Sequence, residues 1–153
     1  MKHIINALVE NKPGVLAHVS GMFAARGFNI DSLVVGRTED PKLSRMTIVA
    51  VGDDRVLEQV RKQLAKIVPV VRVQDYAGQP LVSRDLMLIT IAAPPEKRPE
   101  LFSMIEMFRG RVVDIGLKSL MIEVSGAETK IESVIDVCRP YGIKSVARTG
   151  TIA

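Results

Sequence analysis

Glu10-Asn11-Lys12-Pro13-Gly14-Val15-Leu16 separates two different periodicities. Before it, Ile4 to Val9 is an apolar, strand-like run. After it, Val15, Leu16, Val19, Met22 and Phe23 recur at helical spacing. The stretch therefore reads as a strand-to-helix turn. Asn11 is placed to cap the helix through its side chain, Pro13 presets φ for a first helical turn, and Gly14 has no Cβ to hold a ligand off the backbone. The amides of Gly14, Val15 and Leu16 are expected to point out of the helix N-terminus, where their partial positive charge suits a carboxylate or phosphate. The same residues also read as an ordinary capped helix start that binds nothing.

Working outward, residues 1–76 give strand (2–9), helix (13–26), strand (28–35), strand (45–51), helix (53–67) and strand (70–74), the order βαββαβ. Arg26-Gly27 is a helix stop, and Asp53-Asp54 puts carboxylates at the positive end of the second helix. That helix carries a stripe of Val56, Val60, Leu64 and Ile67. Tyr76-Ala77-Gly78-Gln79-Pro80 has no periodicity, and residues 77–82 read as a linker. Residues 83–153 repeat the order: strand (86–91), helix (99–108), strand (111–115), strand (120–124), helix (128–139) and strand (143–147). Arg109-Gly110 echoes Arg26-Gly27. The opening motif is not repeated, since Pro94-Pro95-Glu96-Lys97-Arg98-Pro99 replaces it. The expected fold class is α+β, two tandem ferredoxin-like βαββαβ domains whose antiparallel sheets carry both helices on one face. Met46 to Val51 is apolar on both sides, so a bare sheet face is expected to pair, most simply in a homodimer. In such a pair Asn29, Ile30 and Asp31 approach the Asn11 to Leu16 loop of a neighbour, although Asn29 also reads as a turn residue after Gly27.

Composition narrows the function. The net charge is +4, but residues 1–76 hold 11 Lys and Arg against 8 Asp and Glu, and residues 77–153 hold 10 against 9. No basic arm exists. Aromatics are only 4% and the central strands offer Val, Ile, Met and Thr in place of stacking rings, so a nucleic-acid surface is not expected. No apolar run reaches the roughly 20 residues of a membrane span, and Met1 to Ile5 enters strand pattern directly, which predicts a cytoplasmic protein with no membrane partner. Cys138 is in phase with Ile131, Val134 and Ile135 and reads as core. His3 and His18 read as strand-edge and helix-surface residues. No nucleophile elbow, Walker loop, dinucleotide fingerprint or His-Glu-x-x-His is present, and the loop lacks the arginine an acylphosphatase needs after its first strand. Catalytic and metal-ligating residues are therefore expected to be none, and the chain reads as a binding protein.

Asn11-Lys12-Pro13-Gly14-Val15-Leu16, Phe23, Arg26-Gly27-Phe28-Asn29-Ile30-Asp31-Ser32-Leu33 and Leu43-Ser44-Arg45-Met46-Thr47-Ile48 together resemble the ACT domain of the acetohydroxyacid (acetolactate) synthase regulatory subunit family. The resemblance continues through Arg84-Asp85-Leu86-Met87-Leu88-Ile89, Phe108-Arg109-Gly110-Arg111-Val112-Val113-Asp114 and Val146-Ala147-Arg148-Thr149-Gly150, and so spans nearly the whole chain. Asp85 and Thr90 depart from it, standing where members often carry Glu and Lys. The resemblance implies a non-catalytic subunit that activates a separate catalytic large subunit and confers feedback inhibition by valine or another branched-chain amino acid. It places thiamine diphosphate, Mg²⁺ and FAD in that partner and no cofactor in this chain. It implies an effector held between two ACT domains by Asn11, Lys12, Pro13, Gly14, Val15 and Leu16 of one chain and Asn29 and Ile30 of the other. Val15, Leu16, Ile30 and Leu33 are candidate apolar walls. The alternative is a stand-alone ACT amino-acid sensor for another enzyme.

Overall fold

The computed structural model describes residues 1–153, which fall into two compact units, residues 1–82 with 151–153 and residues 83–150. In the first unit β1 (Lys2–Glu10), α1 (Val15–Ala25), β2 (Asn29–Arg37), β3 (Leu43–Val51), α2 (Asp54–Ala65) and β4 (Val70–Asp75) follow one another. The strands form one antiparallel sheet of order β2-β3-β1-β4. Period-two alternation puts Ile5, Ala7 and Val9 of β1 beside Met46, Ile48 and Ala50 of β3 on one face. Val15, Val19 and Phe23 of α1 and Leu57, Val60 and Leu64 of α2 pack onto that face. Both helices thus share one side of the sheet. Phe23 meets Phe28 edge-on at 6.2 Å between ring centroids.

The stripe on α2 begins at Leu57, because Val56 lies over Gly52, where an added Cβ would stand 2.7 Å from Val56 Cγ1. The Val56 amide is used as well, donating to Asp53 Oδ1 at 2.9 Å, so Asp53 caps this helix. His3 is no strand-edge residue. It lies opposite Ala50 on the core face of an interior strand, 7% exposed, with Nε2 3.8 Å from Asp54 Oδ1 and without a hydrogen bond.

The second unit repeats the plan with β5 (Asp85–Ala92), α3 (Arg98–Met107), β6 (Arg111–Ile115), β7 (Ser119–Gly126), α4 (Glu128–Cys138) and β8 (Ile143–Arg148), in a sheet of order β6-β7-β5-β8. Met87, Ile89 and Ile91 of β5 meet Leu101 and Ile105 of α3 and Ile131, Val134 and Cys138 of α4. Cys138 is core, as its phase predicted, and burial pushes its thiol pKa up. The repetition extends to irregularities: β2 and β6 slip register at Asp31 and Val113 against β3 and β7, and β4 and β8 slip at Val71 and Lys144 against β1 and β5.

The recurring Arg-Gly pair serves two different needs. After α1, Gly27 itself takes the left-handed conformation that ends the helix, at φ 67°. After α3, Arg109 takes it, at φ 57°, and Gly110 is required by space, with Val124 Cγ2 3.1 Å from where its Cβ would be.

Asp85 is 1% exposed and closes the second unit. Its carboxylate accepts from Arg148 Nη2 at 2.6 Å and Nε at 2.9 Å, from Thr149 Oγ1 at 3.3 Å and from the Gly150 amide at 3.2 Å. The chain turns at Gly150, φ 88°. Residues 151–153, read from the sequence as the end of the second domain, group with the first unit instead. There the Asn6 amide donates to the Ala153 carbonyl at 2.9 Å and to Tyr76 Oη at 3.1 Å, while Thr47 Oγ1 donates to Asn6 Oδ1 at 2.8 Å. Asn6 is 2% exposed on the sheet face opposite the helices, so that face is not bare throughout.

Candidate functional site

The loop between β1 and α1 is built around its backbone. Gly14 is the N-cap of α1 at φ 84°, ψ −9°, and nothing lies within 4 Å of the place its Cβ would occupy. Conformation requires this glycine, not crowding. Val15 N reaches only Lys12 O, at 3.5 Å, and the first full helical bond runs from His18 N to Gly14 O at 2.9 Å. The amides ahead of His18 therefore form the open end of the helix.

Electrostatics single this end out. The first turn of α1 contains no acidic residue, whereas Asp54, Glu100 and Glu128 stand in the first turns of α2, α3 and α4. Those three helices carry a carboxylate where the dipole is positive; α1 does not. Lys12 adds a cation at the loop, although its Nζ already pairs with Glu10 Oε2 at 3.1 Å.

Asn11 does not cap the helix, contrary to the sequence expectation. Its backbone amide donates to Lys42 O at 2.7 Å and its side-chain amide to Pro41 O at 3.0 Å, tying the loop to the β2–β3 hairpin. The reason is distance along the chain: the helix begins at Val15, so Asn11 lies three residues before the cap. Pro13, for the same reason, precedes the cap and shapes the turn instead of opening the helix. Val15 is also reassigned. Its side chain belongs to the core, which leaves only its backbone for a ligand, while Leu16 is 45% exposed and free to form an apolar wall. Ser20 Oγ donates to the Leu16 carbonyl and holds that turn.

Asn29 and Ile30 lie at the other end of the sheet. Asn29 pairs with Val51, which pairs with Lys2 at the start of β1, whereas Glu10, which leads into the loop, pairs with Leu43. One chain therefore does not bring Asn29 and Ile30 to Gly14. Asn29 is exposed, and Ile30 and Leu33 are half-buried against the core.

The hairpin carbonyls of Pro41 and Lys42, which fix Asn11, were not singled out from the sequence; a backbone acceptor leaves no residue-type signal. The polar Asn6, Thr47 and Tyr76 group was missed as well. Asn6 sits inside an apolar strand pattern, and that interruption was the available sign.

Residues 5–72 match the family described as AHAS small subunit-like ACT domain, and residues 84–153 match the family described as small subunit of acetolactate synthase. A probable acetolactate synthase small subunit of Archaeoglobus fulgidus is 54% identical over 153 residues, covering 100% of this chain and 96% of that one. The acetolactate synthase small subunit of Bacillus subtilis is 44% identical over 154 residues, covering 100% of this chain and 90% of that one. The crystal structure of an acetolactate synthase small subunit from Thermotoga maritima superposes with a TM-score of 0.90 at 40% identity, covering 99% of this chain and 95% of that chain. Two βαββαβ units, the first opening on an uncompensated helix start, thus coincide with family matches over both units, and the chain belongs to the acetolactate synthase small-subunit family, with an N-terminal ACT domain and the role of a regulatory, non-catalytic subunit to a catalytic large one.

Proposed function

We propose that this subunit activates the catalytic large subunit of acetolactate synthase and transmits feedback inhibition by valine or another branched-chain amino acid, in the cytoplasm. Thiamine diphosphate, Mg²⁺ and FAD belong to the large subunit in this reading. The observation that carries it is the start of α1, the one helix of four without an acidic residue in its first turn, opened by Gly14 at φ 84°. An amino-acid carboxylate supplies the missing negative charge there. Exposed Leu16 offers an apolar surface to a branched side chain. The amine needs acceptors, and Asn29 of a second copy is the candidate, with the Ile30 backbone. Because Asn29 and Gly14 sit at opposite ends of one sheet, the complete site requires a homodimer of ACT domains. A ligand that bridges two copies fixes their relative angle. Inhibition requires it to bind the inhibited arrangement better, by about 1–3 kcal/mol of coupling in typical systems.

Calorimetric titration with valine, leucine, isoleucine and serine tests the reading. Saturable binding selective for branched side chains is expected, and Gly14→Asp is expected to abolish it while the fold persists. Asp tolerates the left-handed conformation better than most residues, and no atom obstructs its Cβ. Undiminished valine binding by Gly14→Asp removes the site from this loop. Amino-acid binding without any effect on acetolactate formation by the large subunit points to the stand-alone sensor instead.

A further inference from the structure

On the sheet face opposite the helices, Leu8 of β1 stands between Arg45 of β3 and Arg72 of β4, each its direct register partner. Adjacent strands lie about 4.8 Å apart, so the two arginines start roughly 10 Å from each other, a span their side chains can close over. They border a notch of about 80 Å³, completed by Asn6 and Gln74. That is several times the volume of roughly 10–15 Å³ that admits one water, and it accommodates a carboxylate group.

The notch is positively charged and has no acidic side chain in its lining. Neither guanidinium has an ion-pair partner, so their charge is not cancelled within the unit; Lys12, in the loop after β1, is by contrast paired with Glu10 at 3.1 Å. Asn6 lies at one side, buried, with its amide already engaged by Tyr76 and Ala153 and its carbonyl by Thr47. The donors left for an incoming group are the Gln74 side-chain amide and the two guanidinium forks, whose planar geometry matches a carboxylate bidentately.

We propose that the Arg45–Leu8–Arg72 row is a docking point for the catalytic large subunit, and that an acidic side chain of that subunit enters the notch. The inference rests on the regulatory-subunit reading and adds to it the surface through which regulation passes. Charge complementarity selects the occupant: two unpaired arginines flanking a half-buried leucine fit an acidic residue set in an apolar surround. The placement also suits control, because Leu8 is followed on the same strand by Val9 and Glu10 and then by the effector loop.

The test measures binding of the large subunit to the full-length chain by calorimetry or sedimentation, at low and high salt, for wild type, Arg45→Glu, Arg72→Glu and the milder Arg45→Gln. Valine binding by the isolated small subunit serves as the check that each variant is folded. Each charge reversal is expected to weaken the complex about tenfold or more, Arg45→Gln less, and the salt dependence of affinity is expected to shrink, with valine binding unchanged. Charge-reversed variants that bind the large subunit within about twofold of wild type overturn the proposal alone. Inorganic phosphate binding that is lost in the variants, with the complex unaffected, overturns it in favour of a small-anion site. A wild-type chain that never binds the large subunit overturns this proposal together with the reading it rests on.

Discussion

The two units begin their first helices in opposite ways. Both tie the loop after the first strand to the facing hairpin, through Asn11 N to Lys42 O at 2.7 Å in one and Ala93 N to Lys118 O at 2.8 Å in the other. The first unit adds the short Asn11 side chain, anchored on Pro41, and leaves the helix start empty. The second replaces the glycine turn with a 3₁₀ turn at Pro95–Lys97 and sends Arg98, the first residue of α3, back across the loop. Arg98 donates to Ala93 O at 3.1 Å, Gly116 O at 2.6 Å and Leu117 O at 3.0 Å. A tether reaching from the loop leaves the helix end available, whereas in the second unit the 3₁₀ turn runs straight into α3 and uses the Lys97 and Arg98 amides on Pro94 O and Pro95 O. The same topology thus yields an open helix start once and a closed structural corner once.

The difference extends to stability, and three substitutions test it. Asp85→Ala has the largest expected effect. It strips Arg148 of the buried one of its two carboxylate partners, leaving only Glu132, and leaves the Gly150 amide without its acceptor, which costs the second unit about 3 kcal/mol. Urea unfolding followed by hydrogen exchange in each unit reads this, with the amides of β1 and β3 expected to keep their protection. Comparable loss in both units would mean the clasp is not local. Arg98→Ala comes next, at about 1–3 kcal/mol for three bonds from a charged donor, with valine binding intact. A change in valine affinity would break the division between a structural corner and a site. Gly14→Ala is expected to cost about 1–2 kcal/mol through backbone strain alone, since no neighbour meets its Cβ, and to weaken valine binding in parallel. Thermal melts with and without valine separate the two parts. A stabilised variant would show that Gly14 is not held at positive φ in solution.

Much of this was legible in the residues because the elements depend on local pattern. The period-two runs 4–9 and 46–51, the helical stripes and the two Arg-Gly stops fix βαββαβ twice without reference to anything distant. Gly14 and the open helix start were equally local. What escaped depends on contacts far apart in sequence. Asn11 was read as a cap because its residue type favours caps, yet its partner is Pro41, 30 residues away. His3 near a strand start read as edge because strand order is not written in a single strand. Val15 read as a pocket wall because helical periodicity alone does not say which side of a first turn faces the core. Asp85 read as a departure from the related proteins, but the shorter carboxylate is saturated by Arg148, Thr149 and Gly150.

The bond between the Asn6 amide and the Ala153 carbonyl has a bearing on biosynthesis. Its ends are 147 residues apart with the whole second unit between them, so it cannot form until that unit has been made. The N-terminal sheet can assemble from residues 1–82 while the second unit is still being made. During that interval Asn6 has Tyr76 and Thr47 as partners but lacks its third. That contact of the N-terminal unit therefore forms only after the second unit has been made, and the strand that leads into the Gly14 loop is fully bonded only from then on.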